Sequence, residues 1–188
     1  MMEKDIQNAL RALRSGGTIL YPTDTVWGIG CDATNKAAVD KVNKIKQRKA
    51  GKGYILLMED LDMVSGFIPD VSETARQLLN SDTPTSLIFS GTKGLPKNVL
   101  AEDGSAAVRI PQNALCIKLI REFGKPIVSS SANIRDEPAP ASFEFIDKQI
   151  LSAVDYVITL QNKDVLTAKP SRVVKVDAVG NIQIIRKS

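Results

Sequence analysis

The spacing of hydrophobic residues along the chain predicts helices and strands in mixed order. Several segments carry apolar residues at every third or fourth position, as an amphipathic helix does. Such helices are predicted over residues 3–15, 71–80, 113–123 and 142–151. A further amphipathic helix is expected to begin after Asn35, whose side chain can cap it, and to end at Lys46.

Short apolar runs predict the strands. They cover residues 18–21, 26–31, 54–58, 87–89, 106–110, 126–128, 156–160, 173–176 and 182–185. The last two runs flank Gly180-Asn181, which favours a hairpin turn. Strands and helices that alternate without strict order predict a single α/β domain over residues 1–188, with a mixed sheet covered by helices. Residues 91–104 are the least regular stretch and are interpreted as a surface loop or a lid.

Composition limits the chemistry of the chain. There is no histidine among the 188 residues, which excludes Ser-His triads, histidine bases and histidine-ligated metals. Any catalysis would use Lys, Arg, carboxylates, hydroxyls and backbone amides. The formal net charge of +4 and the pI near 9.1 suit an anionic substrate or transient RNA contact without requiring either.

The sequence also predicts where the protein resides. No apolar run approaches the roughly 18 residues that a membrane span needs. Residues 1–5 are polar and charged, and no apolar signal core follows them. We therefore expect a cytoplasmic protein without membrane contact. Cys31 and Cys116 match no zinc spacing and are interpreted as unrelated buried thiols.

Two polar segments in the first half of the chain are candidates for a binding site. Residues 21–28 place Tyr21, Thr23, Asp24 and Thr25 at a turn between strands, where they could face a ligand or merely hold the turn. The second segment is the triplet Lys46-Gln47-Arg48 at a predicted helix end. It is either a solvated end that opposes the helix dipole or a clamp for phosphate groups.

Three further segments lie in the second half. Arg109 falls inside an apolar strand, where it needs a ligand, a partner charge or solvent. The run from Ser129 to Asn133 follows a strand and could cradle an anion, although Asn133 could equally be a helix cap or turn residue. The last segment is Lys169-Pro170-Ser171-Arg172, together with Arg186 after the last strand. Its alternative interpretation is a Pro-Ser turn and a charged C-terminal tail.

In this order the segments resemble the YrdC family of threonylcarbamoyl-AMP synthases, over about residues 10–186. The similar motifs are Pro-Thr-Asp-Thr-Val-aromatic-Gly at 22–28, Lys-x-Arg at 46–48, Val-Arg-x-Pro at 108–111, Ser-x-Asn at 131–133 and the C-terminal elements at Ser171 and Arg186. The resemblance implies a twisted mixed sheet around a basic cavity. It also implies an enzyme, a nucleotidyltransferase that joins L-threonine, bicarbonate and ATP and releases pyrophosphate.

The resemblance assigns roles by position. The implied ATP-binding residues are Lys46, Arg48, Lys52, Ser86, Arg109, Ser131, Asn133, Ser171 and Arg186, of which Lys46 and Arg48 would be catalytic. The implied threonine-binding residues are Tyr21, Thr23, Thr25, Arg109 and Ser129. Mg²⁺ would be held through ATP, with no metal site of the protein's own. The product would pass to a tRNA-modifying threonylcarbamoyl transferase complex, with weak tRNA or double-stranded RNA binding as a further expectation.

Several positions depart from the family pattern and bear on threonine specificity. They are Trp27, Lys52-Gly53, Leu57, Ser86, Arg135-Asp136 and Arg172. One alternative is a non-enzymatic RNA-binding module of the same fold, although aromatic residues make up only 5% of the chain and base-stacking surfaces need them. The other alternative is a paralogous enzyme that acts on a different carbamoyl substrate.

Overall fold

The computed structural model describes residues 2–48, 51–135, 137–159, 169–176 and 181–187. The α-helices are α1 Met2–Arg14, α2 Lys36–Ile45, α3 Leu61–Phe67, α4 Glu73–Leu79, α5 Ala114–Phe123 and α6 Lys148–Ala153. The strands are β1 Thr18–Pro22, β2 Trp27–Cys31, β3 Ile55–Leu57, β4 Thr85–Phe89, β5 Ala106–Arg109, β6 Ile127–Ser131, β7 Tyr156–Val157, β8 Arg172–Val176 and β9 Ile182–Arg186. Short 3₁₀ helices occupy Lys97–Val99 and Phe143–Phe145.

The described strands form one twisted mixed sheet in the order β7-β1-β2-β6-β3-β5-β4-β8-β9. The pairs β1–β7, β3–β5 and β4–β8 are parallel, and the other pairs are antiparallel. Parallel pairs require crossover connections, and helices supply several of them. The predicted mixed sheet with covering helices is therefore confirmed.

Apolar side chains of alternate strand residues pack into separate cores on the two faces of the sheet. Leu56 and Val128 belong to one core, with α2, α3 and α4. Leu57 and Ile127, their neighbours in sequence, belong to the other core, with α1 and α5. Successive strand residues point to opposite faces, so this division assigns every residue of the central strands to a face.

Most predicted elements are confirmed within one to three residues. Asn35 caps α2 and Ser72 caps α4, each with its side chain accepting a backbone N–H bond. The hairpin of β8 and β9 is present, although Gly180 lies outside the described residues, as does Leu160 of the predicted strand 156–160.

Two predictions about elements were wrong, and one helix was not predicted. The serine run does not follow a strand, because β6 continues to Ser131 and pairs with both β2 and β3. Residues 142–151 do not form one helix, because Ile146 takes an extended conformation and Asp147 starts α6 with its own side-chain cap. Helix α3 was missed, although Asp60 caps it through a bond to the Met63 backbone N–H.

Within the described ranges, no helix combines the length and hydropathy that crossing a bilayer requires. The 91–104 stretch is tied down at several points, including bonds from Lys93 N to Phe67 O and from Tyr54 N to Val99 O. Whether this stretch moves as a lid stays a prediction.

The cap of α2 gives a direct test of this part of the fold. The Asn35 side chain accepts bonds from the backbone N–H groups of Ala37 and Ala38 at 3.0 and 3.2 Å. Replacing Asn35 with Ala should lower the free energy of unfolding by about 1 kcal/mol, measured by urea denaturation. Asn35→Asp, which keeps a capping oxygen, should retain most of the stability; equal losses in both variants would contradict the assignment.

Candidate active site

Several predicted site residues share one face of the sheet. Val128, Val108 and Leu87 point into the core with α2. The adjoining residues Ser129, Arg109 and Ser86 therefore point to the other face, and so does Ser131, two residues beyond Ser129. Strands lie about 4.8 Å apart, so Ser129 on β6 and Ser86 on β4, three strands away, are separated by roughly 14 Å across the sheet.

Lys46, Ser131 and Asn133 are brought together by direct contacts. The Lys46 Nζ donates to the Ser131 carbonyl oxygen, to the Asn133 carbonyl oxygen at 2.7 Å and, at 3.5 Å, to Asn133 Oδ1. The Ser131 hydroxyl also donates to Asn133 Oδ1. Lys46 is only 4% exposed, so the solvated-helix-end interpretation is wrong for this residue.

The surroundings of Lys46 disfavour its charged form. Burial, reinforced by the nearby positive charge of Arg48, lowers the pKa of Lys46 to about 7. An anion bound beside the ammonium would favour its charged form. The cluster is therefore suited to a negatively charged ligand.

Arg48 lies at the same end of the sheet. Its Nη2 donates to the carbonyl oxygens of Lys52 and, at 2.6 Å, of Gly53. Its guanidinium carbon lies 4.4 Å from the centre of the Tyr54 ring. Burial lowers the pKa of Arg48, as expected for a cation taken partly out of water. Lys52 itself is exposed, and its backbone carbonyl makes the contact with Arg48.

Arg109 forms a buried ion pair with Asp24. Its Nη1 donates to Asp24 Oδ1 at 2.6 Å, and the two side chains are 3% and 1% exposed. The solvated alternative for Arg109 is therefore wrong, and the partner-charge alternative is confirmed. The Arg109 Nε is buried without a partner among the described residues, so this side chain retains a donor for a ligand.

A second cluster joins β4, β8 and β9. The hydroxyls of Ser86 and Ser171 lie 2.8 Å apart, and Arg186 donates to the Ser171 carbonyl oxygen through Nε at 3.3 Å and Nη2 at 2.8 Å. Burial lowers the pKa of Arg186, and the charge of Arg109 lowers it further. Arg109 and Arg186 therefore lie close enough to repel each other, which also favours an anion between them.

The turn between β1 and β2 is held by its own side chains. Thr23 Oγ1 donates to Val26 O at 2.7 Å, accepts from the backbone N–H groups of Thr25 and Val26, and lies 3.0 Å from Thr25 Oγ1. Thr23 thus maintains the turn. The Thr25 hydroxyl has less of its bonding capacity occupied by these contacts.

Two glycines make room for Tyr21. Its ring lies against β2, where a Cβ at Gly30 would fall 2.7 Å from Tyr21 Cε1. A Cβ at Gly28 would meet Ser129 Oγ, Thr23 Cγ2 and Tyr21 Cε1 at 3.3–3.5 Å. Tyr21, Thr23 and Ser129 therefore pack closely around Gly28. Burial raises the pKa of Tyr21, so its hydroxyl stays protonated and donates to Val128 O at 3.3 Å.

The predicted residues thus fall into separate groups rather than one contact network. Lys46, Ser131 and Asn133 form one group, with Arg48 beside it, and Arg109 and Arg186 belong to the other. The single basic cavity stays a prediction. Sequence reasoning assigned no role to Tyr54 or Asn43. It named Asp24 as a turn residue that could face a ligand, but it did not predict that Asp24 pairs with Arg109.

The donor set suits phosphates better than a metal. Ammonium, guanidinium and hydroxyl groups bind phosphate oxygens. Across the described ranges, no three His, Cys, Asp or Glu residues are grouped to hold a metal ion. The buried carboxylate of Asp24 is engaged by Arg109. Magnesium would therefore fit here as a companion of bound phosphates.

Fold and site together define an α/β protein with buried cations on and beside its mixed sheet. A family model for the Sua5/YciO/YrdC domain, described as telomere recombination, matches residues 11–188. The chain belongs to this family. It is 36% identical over 163 residues to a threonylcarbamoyl-AMP synthase of Stenotrophomonas maltophilia, a match that covers 84% of this chain and 87% of that relative.

Two solved structures have a similar fold. E. coli YciO is 26% identical with a TM-score of 0.83, and the match covers 100% of this chain and 90% of YciO. The fold of P. abyssi Sua5, solved with L-threonine, is also similar at 24% identity and a TM-score of 0.83. That match covers 94% of this chain and 52% of the longer Sua5 chain.

The buried pair of Arg109 and Asp24 predicts a stability effect. Replacing Asp24 with Asn leaves a buried guanidinium without its counter-ion, which should cost about 3–5 kcal/mol in urea unfolding. The double replacement with Arg109→Met should recover part of this loss, because no charge then remains unpaired. Glu59→Gln, at the exposed pair with Arg121, is the matched control and should change stability little. A loss in Asp24→Asn no larger than in this control would contradict the prediction.

Proposed function

We propose that this chain is a threonylcarbamoyl-AMP synthase, an ATP-using nucleotidyltransferase that serves tRNA modification. In this reaction the threonine amine attacks bicarbonate, and water leaves to give a carbamate. A carbamate oxygen then attacks the α-phosphorus of ATP. The bond to the pyrophosphate group breaks, and threonylcarbamoyl-AMP forms.

The observation that carries the proposal is two groups of cations with hydroxyls: Lys46 and Arg48 in one group, and buried Arg109 with the more exposed Arg186 in the other. Lys46 and Arg109 are 4% and 2% exposed, and Arg48 and Arg186 have pKa values lowered by burial. A buried charge is costly unless an anion meets it; Asp24 meets Arg109, whereas no carboxylate of the described residues pairs with Lys46. The name of the curated relatives supports a synthase over a non-enzymatic RNA-binding module.

We assign ATP to the two cationic groups. Lys46, Arg48, Ser131 and Asn133 would hold one part of the nucleotide. The remaining ATP-binding residues would contact the rest: Lys52, Ser86, Arg109, Ser171 and Arg186. In this assignment one ATP molecule spans both groups. Fixed cations would stabilise the charge that develops as pyrophosphate leaves.

We assign threonine to the vicinity of the turn between β1 and β2. Thr25, Tyr21 and Ser129 would contact the amino acid, while Thr23 shapes the turn. The unpaired Arg109 Nε would donate a hydrogen bond to the carboxylate of threonine. This contact would bring the amino acid next to the nucleotide. Alignment of the carbamate oxygen with the α-phosphorus can contribute roughly 7–11 kcal/mol relative to free reactants.

The remaining components follow from this chemistry. Bicarbonate is the third substrate, and Mg²⁺ would enter with ATP and neutralise phosphate charge. The unstable mixed anhydride needs an acceptor, for which we propose a tRNA-modifying threonylcarbamoyl transferase complex. We further propose one domain over residues 1–188, a cytoplasmic location, and at most weak direct contact with tRNA or double-stranded RNA.

The decisive experiment supplies the pure protein with ATP, Mg²⁺, bicarbonate and one amino acid at a time. Pyrophosphate release is expected with L-threonine and not with serine, valine or alanine. Release with a different carbamoyl or amino-acid substrate alone would favour the paralogous enzyme. No release with any substrate, together with salt-sensitive RNA binding, would favour the RNA-binding module.

Arg48→Ala should abolish pyrophosphate release under these conditions. Removing the guanidinium deletes a fixed cation from the proposed nucleotide site, which affects the reaction more than the fold. Arg11→Ala is the matched control, since Arg11 is exposed on α1, and it should retain wild-type turnover. Near-normal turnover in Arg48→Ala would remove Arg48 from the catalytic set.

The pKa of Lys46 predicts proton uptake on ATP binding. Below pH 7 Lys46 is mostly charged before ATP arrives, whereas above pH 7 it is mostly neutral. ATP should raise this pKa, so binding at pH 8 should take up close to one proton, and affinity should fall as pH rises through 7. Calorimetry in buffers of different ionisation enthalpy measures this uptake. Lys46→Arg stays charged and should show none; equal uptake by both proteins would exclude Lys46 as the source.

A further inference from the structure

The guanidinium of Arg48 is held in one place while part of it remains available. Nη2 is engaged by the carbonyl oxygens of Lys52 and Gly53, and the Tyr54 ring lies 4.4 Å from Cζ. Among the described residues, Nε and Nη1 make no hydrogen bond. The side chain is therefore fixed by one edge and one face, and its remaining donors can meet a ligand.

The Tyr54 ring is itself fixed. It is 3% exposed, and its hydroxyl donates to Asn43 Oδ1 at 2.7 Å. Burial raises the pKa of Tyr54 to about 12, although the Arg48 charge opposes the rise, so the hydroxyl keeps its proton at neutral pH. Tyr54 thus presents an immobile aromatic surface to the guanidinium.

The backbone of Arg48 depends on the same asparagine. Helix α2 ends with Gln47 in the left-handed region, at φ +50°, a conformation that usually favours glycine. Gln47 N donates to Lys44 O at 3.1 Å, and Arg48 N donates to Asn43 O at 3.0 Å. This helix ending turns the chain so that Lys46 and Arg48 leave α2 in defined directions.

We propose that Asn43 and Tyr54 are positioning residues that aim Arg48 at ATP. The Asn43 carbonyl holds the Arg48 backbone, and the Asn43 side chain holds the ring against which the guanidinium lies. Asn43 thus contacts the Arg48 backbone directly and fixes the Arg48 guanidinium through Tyr54. The inference rests on the proposed function, because it takes the ligand of Arg48 to be ATP.

The test measures ATP binding by calorimetry, without threonine or bicarbonate. Tyr54→Leu removes the aromatic surface and should weaken ATP binding about tenfold. Tyr54→Phe and Asn43→Ala each remove the same hydrogen bond, so each should weaken binding about two- to fivefold, and the double variant should be no weaker than either. Tyr156→Phe, whose hydroxyl bonds Asp5 away from this site, is the matched control and should bind normally.

A double-mutant cycle separates positioning from general damage. Lys in place of Arg48 keeps a charge but loses the planar group that stacks on the ring. In the Arg48→Lys background, Tyr54→Leu should therefore weaken ATP binding by less than about twofold. A purely structural role for Tyr54 would give the same loss in both backgrounds. Thermal unfolding checks that each variant is folded. If Tyr54→Leu does not fold, the near-isosteric Tyr54→Phe still tests the inference.

The outcomes distinguish this inference from the proposed function. Coupled losses in ATP binding support the positioning role, whether or not threonine triggers pyrophosphate release. Additive losses, or normal binding by Tyr54→Phe and Asn43→Ala, overturn the positioning role while leaving the synthase intact. Failure of the wild-type protein to bind ATP overturns both. If the losses in ATP binding are coupled but threonine does not trigger pyrophosphate release, only the proposed function is overturned.

Discussion

Buried positive charge is the constraint on which this structure depends. Arg109 is neutralised by the carboxylate of Asp24, at a distance of 2.6 Å. Lys46 is nearly as buried, yet its described hydrogen-bond acceptors are neutral oxygens of Ser131 and Asn133. A cation stabilised only by dipoles loses much of its preference for the charged form, which is why the pKa of Lys46 falls to about 7. An anion that binds beside it relieves this cost.

The two faces of the sheet differ in what they pack against, so buried charge on one face does not disturb the apolar core on the other. One face packs against α2, α3, α4 and α6. The other packs against α1 and α5 over part of its area and carries Ser129, Arg109 and Ser86 over the rest. The two-residue period of the strands lets one chain segment serve both faces. A change at Val108 therefore alters the core, whereas a change at Arg109 alters the buried ion pair with Asp24 on the opposite face.

Family membership explains why these elements occur together, and the local contacts show how this particular chain builds them. Asn43, Tyr54 and Gln47 hold Arg48 through a helix ending, a hydroxyl bond and a ring contact. These contacts use residues that are individually ordinary in sequence. A reading of motifs alone leaves them out, because a positioning residue acts through another side chain and carries no reactive group of its own.

The sequence alone determined most element positions, since hydrophobic periods and the caps at Asn35 and Ser72 are local properties. It also identified Lys46, Arg48, Arg109, Ser131 and Asn133 as candidates, because charged and hydroxyl residues stood out beside apolar runs and resembled known motifs. Only the tertiary structure decided that Arg109 pairs with Asp24, 85 positions earlier, and that Lys46 reaches the end of β6. It also decided that the serines lie inside a strand. These features arise from strand pairing and from desolvation, which depend on residues distant in sequence and leave no local pattern.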